Sequence, residues 1–348
     1  MHSELFVDKY RPTSLDTVDF GHDVSKFLKA LSKNEIPHMI VEGCRGSGKT
    51  LRTMLFLQEK FGPFTVKSIN LNITIPGTTE ERSINIISSP YHYQINPTMY
   101  NIYDRSLIQA ITSEIIKYKV LSDQVQYRIL VIEDADLLSI EAQESLRRTL
   151  EVYIKTCRFI FITNREDKLI DPLISRCVRV KIPSPTIGEL KTILGKIANN
   201  GVTPAIIETI AKTSDRNVTK AISYLEKHMM SSDKTRFEIS NIDSITKLST
   251  DIIETIIKGK DMDETLEQLR NMIYELVTYS LDSRNVIPAI LSAAIKRIPK
   301  HEIPALFNLL TIASERDKTI RTSSKPMYHI ESFCLHLFDI IKGLQLKH

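Results

Sequence analysis

The stretch IPHMIVEGCRGSGKT, residues 36–50, decides the fold. Its first half carries an apolar run, Met39 to Val41, of the kind that forms a strand buried on both faces. Its second half, Gly43-Cys44-Arg45-Gly46-Ser47-Gly48-Lys49-Thr50, fits the spacing G-x-x-x-x-G-K-[ST] and runs into the helix-like LRTMLFLQEKF. Glycines let backbone N–H groups turn inward around phosphate oxygens, and the N-terminus of the following helix adds positive potential. In such a loop Lys49 reaches the β- and γ-phosphates, Thr50 takes Mg²⁺, and the chain from Gly43 through Leu51 encloses the phosphates. Average residue usage puts a chance match in a chain this long at roughly one in a hundred, and the strand and helix on either side lower it further. The expected ligand is ATP or ADP with Mg²⁺.

Outward from the loop, short apolar runs alternate with helical patterns as far as residue 182: HMIVE, FTVKSINLNI, RILVIED, RFIFITN and VRVKIP. Continuous apolar strands separated by helices predict a parallel sheet covered on both faces, hence an α/β domain over 1–182. The two prolines of IPSPT (182–186) close it. Three helical patterns follow, GELKTILGKIANN, PAIIETIAKTS and RNVTKAISYLEKHMM, with breaks at Thr203-Pro204 and Ser214-Asp215; they make a small helical lid over 183–240. Past the polar stretch SSDKTRFEISN, Leu266, Leu269, Ile273, Leu276 and Val277 recur at helical spacing, so 241–348 reads as an all-α domain with that stripe in its core.

Bulk properties exclude several classes. The 348 residues are 42% hydrophobic and 25% charged, ordinary for a globular protein, with a formal charge of only +4. A strong solo binder of nucleic acid usually concentrates far more basic charge. No apolar run approaches the length of a membrane span, and MHSELFVDKYRP has no signal-peptide pattern. The cysteines at 44, 157, 177 and 334 are far apart and lack a CxxC pair, which predicts free thiols in a reducing compartment. The nine histidines show no metal-ligand spacing.

In YRILVIEDADLL (127–138) a buried strand runs straight into two carboxylates, where a P-loop ATPase keeps the acids that order Mg²⁺ and activate water. The usual order is Asp then Glu; here Glu133 precedes Asp134. The metal arm is one methylene longer and the base arm shorter by about 1.5 Å, an error that positioned proton transfer tolerates poorly. Sliding the register puts Asp134 on the metal but leaves Ala135 at the base position. Either register leaves the site impaired; in the first, Asp134 stands at a degenerate base position and Glu133 is a lengthened metal arm. The expectation is binding with little hydrolysis, since loss of a general base costs roughly 10²–10⁴ in rate.

Taken together these segments resemble the small subunits of replication factor C, the AAA+ sliding-clamp loader, along nearly the whole chain. FVDKYRPTSLDTV is similar to that family's amino-terminal box, and IPHMIVEGCRGSGKT to its phosphate-loop box. DADLLSIEAQESLRRTLEVY is similar to the box after the acids, and CRFIFITNREDKLIDPLISRCVRVKIPSP to the sensor and arginine-finger region. ISSPYHYQINP, LRNMIYELV and KPMYHIESF resemble one branch of the family, numbered three in animals and five in budding yeast, which is known for degenerate acids. The resemblance implies that Tyr10, Arg11 and Pro12 lie against adenine and ribose, that Asn164 is the sensor near the γ-phosphate, and that Arg176 of Ser175-Arg176-Cys177 serves a neighbouring subunit's nucleotide in trans. The second sensor, usually an arginine, aligns with Thr219, between Arg216 and Lys220.

The same resemblance implies the other subunits of a heteropentamer as partners, with the sliding clamp and primer-template DNA held through its phosphate backbone, no membrane, and a nuclear location. Arg82 and Arg105 are candidate phosphate contacts, and Met99 to Tyr103 a candidate clamp contact. Against an autonomous AAA+ DNA-dependent motor stand the altered acids and the lack of a winged-helix pattern after the lid. A small-molecule kinase needs neither an outward finger nor a helical domain of this kind.

Overall fold

Residues 5–74, 81–96, 104–117, 127–154, 156–199, 201–230, 244–259, 262–279, 286–299, 302–323 and 325–345 are described in the computed structural model. The chain divides into two compact units, Met1–Thr235 and Arg236–His348. The first holds α1 (Phe6–Lys9), α2 (His22–Ser32), β1 (Met39–Glu42), α3 (Lys49–Phe61), β2 (Lys67–Thr74), β3 (Glu81–Ser88), β4 (His92–Ile95) and α4 (Asp104–Lys117). It continues with β5 (Arg128–Ile132), α5 (Ile140–Val152), β6 (Cys157–Thr163), α6 (Asp171–Ile174), β7 (Val178–Lys181), α7 (Ile187–Ala198), α8 (Pro204–Thr213) and α9 (Val218–Met230).

The strands form one seven-stranded sheet in the order β2-β3-β4-β5-β6-β1-β7. β4, β5, β6, β1 and β7 are parallel. Ile129 to Ile132 are fully buried at its centre, as a strand covered on both faces requires. The expected α/β architecture is therefore present, with one difference: β2 and β3 pair antiparallel, as do β3 and β4, so the sheet is mixed. The cause is the connection. Only six residues separate Thr74 from Glu81, enough for a hairpin but too few for the crossover that parallel strands need. β3 escapes a search for continuous apolar runs because it alternates, with Ile84 and Ile86 buried and Ser83 and Asn85 exposed.

The lid helices follow their local chemistry. Thr186 Oγ1 accepts from Glu189 N (3.2 Å) while Glu189 Oε2 accepts from Thr186 N (2.7 Å), a capping box that starts α7 directly after the prolines. α8 opens on Pro204. α9 starts after a turn in which Asp215 and Arg216 are both left-handed, and Asn217 caps it by accepting from Lys220 N (3.0 Å).

The second unit holds α10 (Ser244–Lys258), α11 (Met262–Tyr279), α12 (Val286–Arg297), α13 (Ile303–Thr322) and α14 (Pro326–Gln345). Its core takes Ile252, Ile256, Leu269, Ile273, Leu276 and Phe333 with Val277 packed against it, so the stripe from 269 to 277 points inward, while Leu266 is only partly buried and outside that cluster. None of the described helices is long and apolar enough to cross a membrane. The boundary expected at 240/241, the 99–103 segment and the side chain of Arg82 lie outside the described residues.

Two histidines are built into the α/β unit in neutral form. His38 Nδ1 accepts from Phe159 N (3.1 Å), which a protonated ring cannot do, and burial pushes its pKa down to about 4, helped by the Arg158 charge. Burial likewise pushes His92 down to about 4. Unfolding releases both to the ordinary value near 6.5, so below that pH the unfolded chain binds more protons and stability falls. The contribution is complete above about pH 6.5 and is lost progressively toward pH 4. We expect a loss of about 2 kcal/mol per histidine between pH 7 and pH 5. Urea midpoints at the two pH values check this, and His92→Phe should remove about half of the difference.

Candidate functional site

The carboxyl ends of β1, β4, β5 and β6 converge, which is where open α/β sheets bind ligands. At β1 the loop Gly43–Gly48 turns into α3 through Gly46 and Gly48, at φ +73° and +78°, values that favour glycine. A Cβ at Gly43 would lie 2.7 Å from Ile182 O and 2.8 Å from Ser47 Oγ, so the close approach demands glycine there too. Cys44 and Arg45 are exposed at the tip, and Ser47 Oγ is buried with no hydrogen-bond partner among the described residues. Lys49 is buried at the start of α3, and its Nζ donates to Gly43 O (2.8 Å), Cys44 O (2.9 Å) and Asn164 Oδ1 (2.9 Å). Desolvation lowers its pKa, opposed mainly by the nearby Asp134 carboxylate. Leu51 follows on α3, partly buried.

The acids sit beside that lysine in two separate networks. Glu133 Oε1 accepts from Thr50 Oγ1 (3.1 Å) and from Gln94 Nε2 (2.9 Å). Burial raises its pKa, and Asp134 adds to the rise against the Thr50 and Gln94 hydrogen bonds. Asp134 is left-handed at φ +46°, and its oxygens accept separately from Asn96 Nδ2 (2.9 Å) and Asn164 Nδ2 (3.3 Å). Asn164 thus bridges lysine and acid at the end of β6. The structure brings Lys49, Thr50, Glu133, Asp134 and Asn164 together. Thr50 and Glu133 form an oxygen pair that suits a hard cation such as Mg²⁺, and the buried, unpartnered Ser47 hydroxyl in a glycine-lined loop suits a phosphate. A bound Mg²⁺-nucleotide supplies the phosphoanhydride and the charge neutralisation that such chemistry needs. Each Asp134 oxygen accepts one amide N–H and keeps a further lone pair.

Four supporting residues were not singled out in the sequence. Gln94 and Asn96, at the end of β4, hold the two acids in place; they lie in ISSPYHYQINP and carry no spacing signal of their own. Asp136 Oδ1 accepts from Thr163 Oγ1 and Asn164 N (both 3.1 Å) and fixes the end of β6; its place two residues after Asp134 was the available hint. Buried Gln143 accepts from Ile170 N (2.9 Å) and donates to Leu138 O (3.1 Å) and Lys168 O (3.2 Å), tying α5 to the segment before α6.

The other residues read from the sequence lie around this centre. Tyr10 and Arg11 are exposed and Pro12 is partly buried, just after α1, whose Phe6 N–H donates to Glu226 Oε1 of α9 (3.0 Å). The Tyr10 ring meets Phe6 edge-on at 5.5 Å. Thr219 is exposed on α9; Arg216 donates to Pro185 O (2.8 Å) and Ser184 O (2.9 Å), and Lys220 Nζ sits 5.4 Å from the Tyr224 ring centroid. Val218 N donates to Gly46 O (3.1 Å), so the lid reaches the phosphate loop through backbone.

After α6, Cys177 packs against the sheet core, where burial pushes its thiol up to about 12, while Arg176 turns to the surface. There its Nε donates to Glu151 Oε1 (2.8 Å), with Nη2 in an ion pair with the same oxygen (2.6 Å), and its Nη1 donates to Pro172 O (2.8 Å). Arg105 is exposed and lines an open cavity of about 600 Å³ with Gln109, Glu144, Arg147, Arg148 and Pro172.

Seven strands in this order, a glycine phosphate loop and a polar cluster at the strand ends define an AAA+ P-loop protein with a helical carboxy-terminal region. Residues 22–186 match the family model described as DNA polymerase III, delta subunit. The Dictyostelium discoideum protein named "Probable replication factor C subunit 3" is 30% identical, the match covering 97% of this chain and 99% of that one. Replication factor C subunit 5 of Schizosaccharomyces pombe is 30% identical over 98% of each chain, and human replication factor C subunit 3 is 28% identical over 97% and 96%. A solved structure of a Thermotoga maritima RuvB variant overlaps 75% of this chain and 85% of its own, at 17% identity and a TM-score of 0.48. The chain belongs to the replication factor C small subunits, within the clamp-loader family.

Proposed function

We propose that this chain is a nucleotide-holding subunit of a heteropentameric clamp loader, weak or inactive as an ATPase itself, that completes a neighbour's site with Arg176. ATP or ADP is gripped by Gly43–Leu51 with Lys49 on the phosphates, and Mg²⁺ by Thr50 and Glu133. Tyr10, Arg11 and Pro12 face the base and ribose, and Asn164 senses the γ-phosphate. The observation that carries the reading is the contrast between an intact phosphate loop and an Asp134 held by Asn96 and Asn164. A loop kept whole beside a shortened base arm serves binding, not turnover. The cations near Thr219 favour the same reading, since Arg216 is bonded to backbone carbonyls and not held out toward a phosphate.

In the ring, the chain would act with the other replication factor C subunits in the nucleus to place the sliding clamp on primer-template DNA. Contacts to DNA would be phosphate-directed, independent of sequence and weakened by salt. Arg105, exposed at the start of α4, is one such contact. Three domains serve this, an α/β domain over 1–182, a lid over 183–240 and a collar over 241–348. Assembly through the collar is supported by Ile303, Phe307 and Leu310, which recur one turn apart on α13 and are 69%, 72% and 47% exposed. Large apolar side chains aligned on one helix face are what a subunit interface covers.

The test is steady-state ATP turnover by the isolated chain, with its bound nucleotide identified after purification. The expected outcome is bound ADP or ATP and turnover roughly 10²–10⁴ below that of an intact acid pair. Brisk turnover without partners would instead support an autonomous AAA+ motor.

A further inference from the structure

We propose that Glu151 is the positioning residue for Arg176: it anchors the guanidinium through Nε, so that Nη2 is held in place for the neighbouring subunit's nucleotide. The inference rests on the trans role of Arg176 proposed above and adds to it the group that makes the finger rigid.

A guanidinium has five N–H donors. Glu151 Oε1 takes one of them from Nε and forms the ion pair with Nη2 at 2.6 Å, and Pro172 O takes one from Nη1. Nη1 also donates to Ser175 Oγ (3.3 Å), so the outward-facing N–H of Nη2 is the donor left for a neighbour's phosphate. A charge-assisted N–H from a held guanidinium is a strong, directional donor to a phosphate oxygen. Arginine's long side chain carries much conformational freedom, which a finger swinging in solution gives up at the moment of reaction. With its inner edge on Glu151 and its Nη1 on Pro172, Arg176 has given up that freedom beforehand, while its side chain stays 34% exposed.

Glu151 is badly placed for its own helix. It sits in the last turn of α5, next to the terminal Val152, where the negative end of the helix disfavours a carboxylate. Arg147 and Arg148 lie one turn earlier on the same helix, within the usual reach of a helical ion pair. The carboxylate nonetheless turns across to Arg176, 25 residues further along the chain. Surface ion pairs add little to folding, so the contact is not explained by stability. Its effect is directional.

The experiment uses the complete complex, reconstituted with Glu151→Ala, Glu151→Gln, Arg176→Ala and the double Arg176→Ala/Glu151→Ala chain. Misplacing a catalytic group by about 1 Å costs up to about a hundredfold. Glu151→Ala is therefore expected to lower kcat for ATP hydrolysis about 10- to 100-fold with KM for ATP unchanged. Glu151→Gln keeps an oxygen on the guanidinium edge and should lose less than about tenfold. On the Arg176→Ala background the second substitution should change nothing, which a general loss of folding would not reproduce. Unchanged or faster turnover in Glu151→Ala would overturn the proposal, the latter by showing the pair to be a restraint. So would an equal loss on both backgrounds. An Arg176→Ala complex of normal activity would remove the finger, and this inference with it.

Discussion

Replacing Arg176 with alanine is expected to lower ATP turnover of the assembled complex by about 10³–10⁵-fold while this chain binds nucleotide as before. The two halves of that outcome come from different parts of the molecule. A guanidinium acts by meeting charge that develops on the transferring phosphoryl group, a gain made in the transition state and not in the ground state. Arg176 lies after α6, on a surface where its donors go to Glu151 and Pro172, whereas Lys49, Thr50, Glu133 and Asn164 bond among themselves at the strand ends. Removing it leaves those contacts untouched. Turnover of the reconstituted complex and nucleotide titration of the isolated chain are the paired measurements. Lost binding together with normal turnover of the complex would show that Arg176 serves its own site.

Much of this arrangement was legible in the chain itself. The phosphate loop declares itself because few sequences can wrap backbone N–H groups around phosphate, and β5 because a strand buried on both faces tolerates no polar residue between Ile129 and Ile132. The order of the acids at 133 and 134 was equally plain, and the structure adds their separate partners: Asn96 and Asn164 donate to Asp134. Residues that act by hydrogen bonds across the sheet were not legible. Gln94 and Asn96 are separated from the acids by 39 and 38 positions and meet them only because β4 pairs with β5. The Glu151 contact is hidden for a similar reason, since an exposed glutamate on a helix with two arginines one turn earlier suggests a pair within the helix. The antiparallel β2–β3 extension was lost because alternation, not an apolar run, is the mark of β3.

Lys49→Ala is expected to weaken nucleotide binding by this chain about a hundredfold yet change turnover of the complex by no more than about twofold, given charge-assisted hydrogen bonds of ~1.5–3 kcal/mol. The lysine is buried beside Asp134, and its ammonium is the group that the loop carbonyls of Gly43 and Cys44 and the Asn164 amide hold in position. Alanine removes the cation from the phosphates and leaves Asn164 tied only to the acid side through its Nδ2. If hydrolysis in the complex happens at sites completed by Arg176 and not at this loop, an emptied loop leaves those sites their finger. The magnitudes then separate: a large fall in affinity, a small fall in rate. Titrating the variant with ADP and measuring turnover of the complex containing it gives both numbers. A fall in turnover as large as that of Arg176→Ala would mean that Glu133 and Asp134 do chemistry after all.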